Sequence, residues 1–160
     1  MKKIREVGIL ELDKVMLIER AAHLTPWTRL MFELGLQRSD TLLGVYIQER
    51  LVGYAMLQKI ADEWHLHNIA VQDTLQGQGI GRFLLEAVIE EAKQQNLALI
   101  LLEVRESNAP ARHLYRQLGF TEDGVRKGYY TVPGQEREDA VLMSCDLNRL
   151  VSETKASCSS

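Results

Sequence analysis

The feature that most constrains the fold is a glycine-rich loop that leads directly into a helix. Residues 75–92 read LQGQGIGRFLLEAVIEEA, follow a strand-like apolar segment and contain three glycines within five positions. The helix carries one apolar stripe, formed by Leu84, Leu85, Val88, Ile89 and Ala92. Free backbone N–H groups at such a loop, together with the helix dipole, favour a bound anion such as a pyrophosphate. This strand–loop–helix unit predicts an α/β fold.

Hydrophobic periodicity places further strands and helices on both sides of the loop. Strands are predicted at residues 2–9, 42–48, 51–61, 63–71, 97–104, 124–131 and 139–147. Helices are predicted at residues 11–23 and 28–36, after the glycine loop, and at 108–120. Residues 97–104, LALILLEV, are almost wholly apolar, as in a strand covered on both faces. The order β-α-α-β-β-β-α-β-α-β-β predicts a mixed central sheet of about seven strands with about four helices.

Length and charge narrow the class of protein further. A chain of 160 residues suits one domain, which we expect at residues 1–150, followed by a disordered tail at residues 151–160. The net charge of −3 gives no reason to expect direct nucleic-acid binding, and no apolar run has the length of a membrane span. Acidic residues near the start interrupt any signal-peptide core. These features predict a cytoplasmic protein without a membrane anchor.

Two known phosphate-binding motifs can be compared with the loop. A P-loop needs Gly-Lys-Ser/Thr at the helix start, whereas Arg82 follows Gly81, so this motif is excluded. A dinucleotide fingerprint, G-x-G-x-x-G/A, fails from either Gly77 or Gly79. Glu103 nevertheless lies about twenty residues beyond the loop, where a ribose-binding acid is expected. On the loop sequence alone, a dinucleotide site therefore stays open.

A third interpretation accounts for two motifs at once. Gln76, Gly79 and Gly81 fit the pattern Q-x-x-G-x-G. A second pattern, N-x-x-A-x-x-L-Y-x-x-x-G-F, is matched by Asn108, Ala111, Leu114, Tyr115, Gly119 and Phe120. Both motifs, in this order and on these elements, resemble those of the GCN5-related N-acetyltransferases, the GNAT family. The element order deduced above is also the order that this family has.

The resemblance extends along the chain to about Leu147. The segments LHNIAV, LEVRESNAPA and YYTVPGQEREDAVLM, and HLTPW between the first two helices, are similar to segments of the ribosomal-protein-alanine N-acetyltransferases within that family. One departure is VQDTLQ, where relatives commonly carry Asp-Pro directly after the valine. This difference can change the stiffness of the loop, but it leaves the backbone donors in place.

The resemblance implies acetyl-CoA as cosubstrate and assigns residues to it. The backbone of Ile69, Ala70 and Val71 would pair with the pantetheine arm as a neighbouring strand does. The pyrophosphate would lie on the loop formed by Gly77, Gln78, Gly79, Ile80, Gly81 and Arg82. Asn108 would hydrogen-bond the cofactor arm from the opposite side, although its position also suits a plain helix N-cap.

Two side chains match the acid–base pair of the family. Glu103 matches the proton acceptor, acting directly or through water, and Tyr115 matches the proton donor to the departing CoA thiolate. Tyr115 also lies on the apolar stripe of its helix, so core packing alone would explain it. The implied partner is a basic protein N-terminus, most specifically the N-terminal alanine of small-subunit ribosomal protein eighteen. The alternatives are another N-terminus, a lysine, a small amine, or CoA binding without catalysis.

Other residues carry further expectations. His65 and His67 share one face of a predicted strand, but the spacing shows no third ligand, so no metal site is expected. Trp27 is expected to anchor the core and to shape the acceptor groove. Tyr129 and Tyr130 are expected on opposite faces of a strand, which leaves at most one of them for that groove.

Overall fold

The computed structural model describes residues 1–131, 134 and 136–149, and its elements follow the predicted order. The strands are β1 (Lys2–Glu6), β2 (Thr41–Ile47), β3 (Arg50–Ile60), β4 (Glu63–Val71), β5 (Leu99–Arg105), β6 (Phe120–Tyr130) and β7 (Glu138–Asp146). The helices are α1 (Leu12–Ala22), α2 (Arg29–Gln37), α3 (Ile80–Gln94) and α4 (Ala109–Gln117). Short 3-10 turns lie at Ile9–Glu11 and Asp73–Leu75. The tail predicted at residues 151–160 lies outside the described residues.

The strands belong to a seven-stranded sheet with the order β1-β2-β3-β4-β5-β7-β6. β2 pairs antiparallel with β1 and β3, and β7 pairs antiparallel with β5 and β6. With four α-helices among the described residues, the predicted α/β fold class and its mixed sheet are confirmed. Within the part of the chain that the structure describes, no helix is long and apolar enough to span a membrane.

The chain divides into two compact units, of which the first consists of residues 1–58 and 66–88. The apolar stripes of α1 and α2 supply much of its core. The buried members are Val7, Leu12, Val15, Met16, Ile18, Phe32, Leu42, Tyr46, Leu51, Tyr54, Met56 and Ala70. The ring of Phe32 contacts those of Trp27 and Tyr54, with centroid distances of 5.0 and 5.8 Å. Trp27 thus packs against the core as expected.

The second unit consists of residues 59–65 and the described residues from 89 onward. β5, β7 and β6 form an antiparallel layer, and α4 packs against β6. Its buried side chains include Ile100, Leu102, Val104, Tyr115, Phe120, Ala140, Val141, Met143, Cys145 and Leu147. Burial alternates along β5, so that one face is buried whereas Leu101 and Glu103 on the other face are half-buried. We expected both faces of this strand to be buried, but the face that carries Leu101 and Glu103 is only partly buried.

The two ends of α4 carry the predicted signals. Asn108 precedes the helix and accepts a hydrogen bond from the N–H of Ala111 at 3.3 Å. Pro110 lies in the first turn, where no intrahelical donor is lost. Gly119 follows the last turn with a φ of +102°, a conformation that residues with a Cβ rarely adopt. These ends fix the position of Tyr115 within the helix.

Phe32 and Leu34 on α2 provide a test of the first core. Phe32 is fully buried, whereas Leu34 is 50% exposed. Phe32→Ala should lower the free energy of unfolding by about 3–5 kcal/mol through lost contacts and a cavity. Leu34→Ala should change it by no more than about 0.5 kcal/mol. Urea denaturation of both variants measures the difference, and equal losses would contradict this packing of α2.

Candidate active site

The glycine loop joins β4 to α3 through a tight change of direction. Gly77 and Gly79 have φ angles of +81° and +83°, in the left-handed region that glycine adopts at low cost. α3 begins at Ile80, which is buried, and the N–H of Phe83 bonds to the carbonyl oxygen of Gly79 at 3.0 Å. The backbone geometry of the turn therefore requires glycine at positions 77 and 79.

The start of α3 provides backbone N–H groups of the kind that bind anions at helix N-termini. The N–H groups of Ile80, Gly81 and Arg82 lie in the first turn, where no acceptor exists within the helix. A Cβ at Gly77 or Gly79 would meet no protein atom within 4 Å, so this side of the loop is open to a ligand. The partial positive charge of the helix N-terminus adds to the attraction. The loop therefore fits a phosphate or pyrophosphate group.

Side chains contribute less to this cradle than the backbone does. Gln78 is exposed, and the guanidinium of Arg82 pairs with Glu86 one helical turn later, with Nε and Oε1 2.9 Å apart. An exposed pair of this kind adds little stability, because water and salt screen it. Recognition of a phosphate would therefore depend on the shape of the main chain.

The end of β4 lies directly before this loop in the chain. Ala70 is buried, whereas Ile69 and Val71 are half-buried. Gly53 on β3 approaches so closely that a Cβ there would lie 3.0 Å from the carbonyl oxygen of Ala70. The side-chain amide of Gln76 donates to the carbonyl oxygen of Val71 at 3.2 Å, which ties the loop to the strand end. The first unit thus holds the predicted pantetheine-pairing strand and the predicted pyrophosphate loop together.

In the second unit, Glu103 lies on the half-buried face of β5 and pairs with Arg126 of β6. Its Oε1 lies 3.2 Å from Nη1 of Arg126. The pair spans β7, because Leu142 lies opposite Glu103 in the sheet register and β6 lies beyond β7. Neighbouring strands are about 4.8 Å apart, so a side chain as long as arginine is needed to cross one. The sequence does not identify Arg126, since this register cannot be read from it.

Tyr129 and Tyr130 also lie near Glu103. Burial, followed by the charge of Glu103, raises the pKa of Tyr130 to about 12, and the same two causes raise the pKa of Tyr129. The two rings contact each other edge to face, with centroids 5.0 Å apart. They therefore do not separate onto opposite faces as expected, because Gly128, with a φ of +62°, interrupts the regular alternation of the strand.

Tyr115 is buried in the second unit, where its ring packs against Phe120 at a centroid distance of 5.6 Å. Burial raises the pKa of its phenol well above the ordinary value of about 10, and the neighbouring Tyr130 adds to the shift. The phenol is therefore protonated at neutral pH. Core packing and proton donation are both compatible with this position.

The predicted site residues fall into two groups. The β4 end and the glycine loop lie in the first unit, and Glu103, Asn108 and Tyr115 lie in the second. Within the second unit, Tyr130 is an electrostatic neighbour of both Glu103 and Tyr115. Tyr130 and Arg126 were not assigned to this group from the sequence, although both belong to the strand segment RKGYY, which contains two basic and two aromatic side chains.

Two further expectations concern Asn108 as the N-cap of α4 and the absence of a metal site at His65 and His67. The capping role of Asn108 is confirmed, while its contact with a cofactor arm stays a prediction. Among the described residues, no cluster of three or more His, Cys, Asp or Glu side chains could hold a metal ion. His67 Nε2 instead lies 2.7 Å from Oε1 of Gln58.

A cavity of about 410 Å³ lies in the first unit, beside α1 and the turn between β2 and β3. Leu17 and Ile18 line it together with charges of both signs, such as Lys14 and Asp73. None of the predicted cofactor or catalytic residues, all of which the structure describes, contributes to its walls. The mixture of charges gives no preference for a polyanion, so we place the candidate site at the glycine loop.

The loop sequence alone leaves open either a dinucleotide site or the acetyl-CoA site of the GNAT family, and similarity to known proteins distinguishes the two. Residues 10–120 match the acetyltransferase (GNAT) family, and this range includes the glycine loop, Glu103 and Tyr115. The chain belongs to the GNAT family. It is therefore an acetyltransferase, and the dinucleotide-binding alternative is wrong.

Relatives within this family are similar over nearly their whole length. The chain is 38% identical to the [ribosomal protein bS18]-alanine N-acetyltransferase of Haemophilus influenzae over 149 residues, which cover 92% of the chain and 100% of that protein. It is 36% identical over 151 residues to the protein of the same name from Escherichia coli K12, with 92% and 99% of the two chains covered. The resemblance to this branch of the family is thus confirmed.

Solved structures agree with the fold. The crystal structure of the ribosomal-protein-S18-alanine N-acetyltransferase from Escherichia coli has a TM-score of 0.88 at 35% identity and covers 92% of this chain and 94% of that one. A ribosomal-protein-alanine N-acetyltransferase from Brucella melitensis has a TM-score of 0.77 at 23% identity, with 90% and 99% covered, which shows the fold alone. The predicted GNAT fold is confirmed.

Gly79 and Gly81 differ in backbone conformation, and a pair of alanine variants tests this difference. Gly79→Ala should lower the free energy of unfolding by about 1–2 kcal/mol, because a Cβ is disfavoured at positive φ. Gly81 lies within α3, so Gly81→Ala should leave stability unchanged or raise it by up to about 1 kcal/mol. Chemical denaturation measures both effects. Equal destabilisation would show that φ is not the reason for glycine at position 79.

Proposed function

We propose that this enzyme transfers the acetyl group of acetyl-CoA to the N-terminal α-amino group of a protein, and that the acceptor is the N-terminal alanine of ribosomal protein bS18. Residues 1–150 would act as one catalytic domain, in the cytoplasm where ribosomal proteins are made. The observation that carries the proposal is the similarity to bS18-alanine N-acetyltransferases, at 38% and 36% identity over nearly all of both chains. This similarity includes segments far from the cofactor loop, where an acceptor would be recognised.

The glycine loop supports acetyl-CoA as the donor. The backbone N–H groups in the first turn of α3 suit the pyrophosphate, and the backbone of residues 69–71 would pair with the pantetheine arm. A backbone N–H near Val71 would polarise the thioester carbonyl and stabilise the oxyanion that forms there. The Asn108 oxygen caps α4, so the NH2 group of the same side chain can donate to the cofactor arm. Capping and binding are therefore compatible.

Transfer requires a neutral amine. An N-terminal α-amino group has a pKa of about 7.7–8.0, so roughly a tenth or more of it is neutral at pH 7. Glu103 would accept the proton that the nitrogen loses as it attacks the thioester carbonyl, either directly or through water. The carboxylate side chain is 29% exposed, which gives a bridging water access to it.

Tyr115 would give its proton to the sulfur as the carbon–sulfur bond breaks. The raised pKa keeps this proton on the phenol throughout the neutral range, so the acid form is fully present. Donation from a phenol with a pKa above about 10 to a thiolate with a pKa near 8.5 is uphill in water. Burial disfavours the charged thiolate as well, which reduces this difference if the thiolate forms in the same surroundings.

The direct test is mass spectrometry of ribosomal proteins from cells with and without this enzyme. We expect the N-terminal alanine of bS18 to be acetylated only when the enzyme is present, and to regain the acetyl group when the gene is restored. If a different protein loses its acetyl group instead, that protein is the acceptor, and the proposed acetyl transfer from acetyl-CoA still holds. Full acetylation of bS18 without the enzyme would reject the proposed acceptor.

Tyr115→Phe tests the proton donor, because it removes the hydroxyl and keeps the ring that packs against Phe120. Turnover should fall by about 10²-fold or more, the usual effect of losing a general acid. Thermal stability and the dissociation constant for acetyl-CoA should change little. Turnover close to that of the wild type would leave Tyr115 with a packing role only.

The choice of acceptor is tested by competition between amines. Deprotonation of a lysine with a pKa of about 10.4 costs about 3 kcal/mol more than that of an α-amine. A peptide that begins with Ala-Arg should therefore be acetylated faster than its N-blocked, lysine-containing version and faster than spermidine. Added salt should slow the reaction, since the enzyme carries a net charge of −3 and the peptide is basic. Faster acetylation of spermidine would rule out the ribosomal acceptor.

A further inference from the structure

A buried carboxylate on α1 belongs to neither group of predicted site residues. Glu19 is fully buried. Its Oε2 accepts a hydrogen bond from the backbone N–H of Trp27 at 2.8 Å. Its Oε1 accepts one from Nδ2 of Asn68 at 2.9 Å and one from the hydroxyl of Tyr54, and His23 Nε2 lies 3.6 Å from the same atom. One carboxylate thus joins α1, β3, β4 and the loop before α2.

A carboxylate in the core calls for an explanation other than stability. Replacement of buried ionic groups by apolar side chains of similar size is often neutral or stabilising. An apolar side chain cannot, however, accept the N–H of Trp27, which lies between the end of α1 and the start of α2. Glu19 therefore fixes the course of a segment that has no regular secondary structure of its own.

The segment fixed in this way, residues 23–28, lies beside the strand that the proposed function assigns to acetyl-CoA. Trp27 and Asn68 bind the two oxygens of one carboxylate, which places the loop backbone close to β4. Asn68 directly precedes Ile69, the first of the residues proposed to pair with the pantetheine arm. Leu24 in the same segment is 68% exposed, so the loop also presents apolar surface to an approaching peptide.

We propose that Glu19 is a positioning residue for the acceptor. It holds residues 23–28 at a fixed distance from the end of β4, so that a peptide N-terminus resting on this loop meets the thioester at the strand end. The role in transfer rests on the proposed function, whereas the anchoring of the loop does not.

Glu19→Gln separates anchoring from packing, because it preserves the shape of the side chain. Glutamine offers one acceptor oxygen in place of two, and its NH2 group repels a further donor. The oxygen is expected to stay with the two donors Tyr54 and Asn68. The NH2 group then faces the N–H of Trp27, so the loop loses its anchor while the contacts with β3 and β4 persist.

Hydrogen exchange and steady-state kinetics of the full-length enzyme test this arrangement. In Glu19→Gln, the Trp27 amide should exchange about tenfold faster or more, as expected for loss of a charge-assisted hydrogen bond. The KM for a peptide with N-terminal alanine should rise about tenfold, while the Kd for acetyl-CoA should stay within about twofold. Glu11→Gln is the matched control, since Glu11 in the same unit accepts from the hydroxyl of Tyr46 at 2.9 Å. It should change none of these quantities.

Each result bears on one step. Unchanged exchange at residues 23–28 would overturn the anchoring, and faster exchange with an unchanged acceptor KM would overturn the positioning role. Faster exchange throughout the first unit would show that Glu19 serves stability instead. If the wild-type enzyme fails to acetylate the alanine peptide, the proposed function and the positioning role fall together, while the exchange data still decide the anchoring.

Discussion

The turn from β4 into α3 is the constraint on which the proposed cofactor site depends. Gly77 and Gly79 adopt left-handed backbone conformations, and this allows the chain to change direction within a few residues and to start a helix at once. The donors in the first turn of α3 belong to the main chain, so their positions are set by the fold and not by side-chain rotamers. Binding an anion there therefore costs little of the conformational entropy that ordering long side chains would cost.

The second unit adds a constraint that is electrostatic. Tyr130 lies within the electrostatic influence of Glu103 and in turn influences Tyr115. If Glu103 accepts a proton, the negative charge that adds to the effect of burial on the pKa of Tyr130 disappears. The pKa of Tyr130 would then fall from about 12, but burial, the larger cause of its shift, still keeps this phenol protonated at neutral pH. Tyr130 is therefore an uncharged neighbour that the proposed base and the proposed acid have in common.

The order of elements and the motif residues could be predicted from the sequence because their signals are local. The ends of α4 are an example, since Asn108 and Gly119 act within one helical turn of their own positions. The pairing of Arg126 with Glu103 could not be predicted, because it depends on the register of a strand that lies between them. The partners of Glu19 lie 8, 35 and 49 residues away along the chain, so only the folded arrangement reveals them.

The strands at the two ends of the sheet order have a consequence for the behaviour of the protein in concentrated solution. β1 reads KKIRE, and exposed positions of β6 carry Glu122, Asp123, Arg126 and Lys127. An unpaired strand edge is a template on which another chain can add a strand, and charged side chains oppose this because they would have to be desolvated together. The charged edges should therefore discourage copies of the enzyme from aggregating edge to edge. Arg126 is one of these charged residues and also forms an ion pair with Glu103. An apolar residue in its place would therefore reduce solubility and would also remove that ion pair.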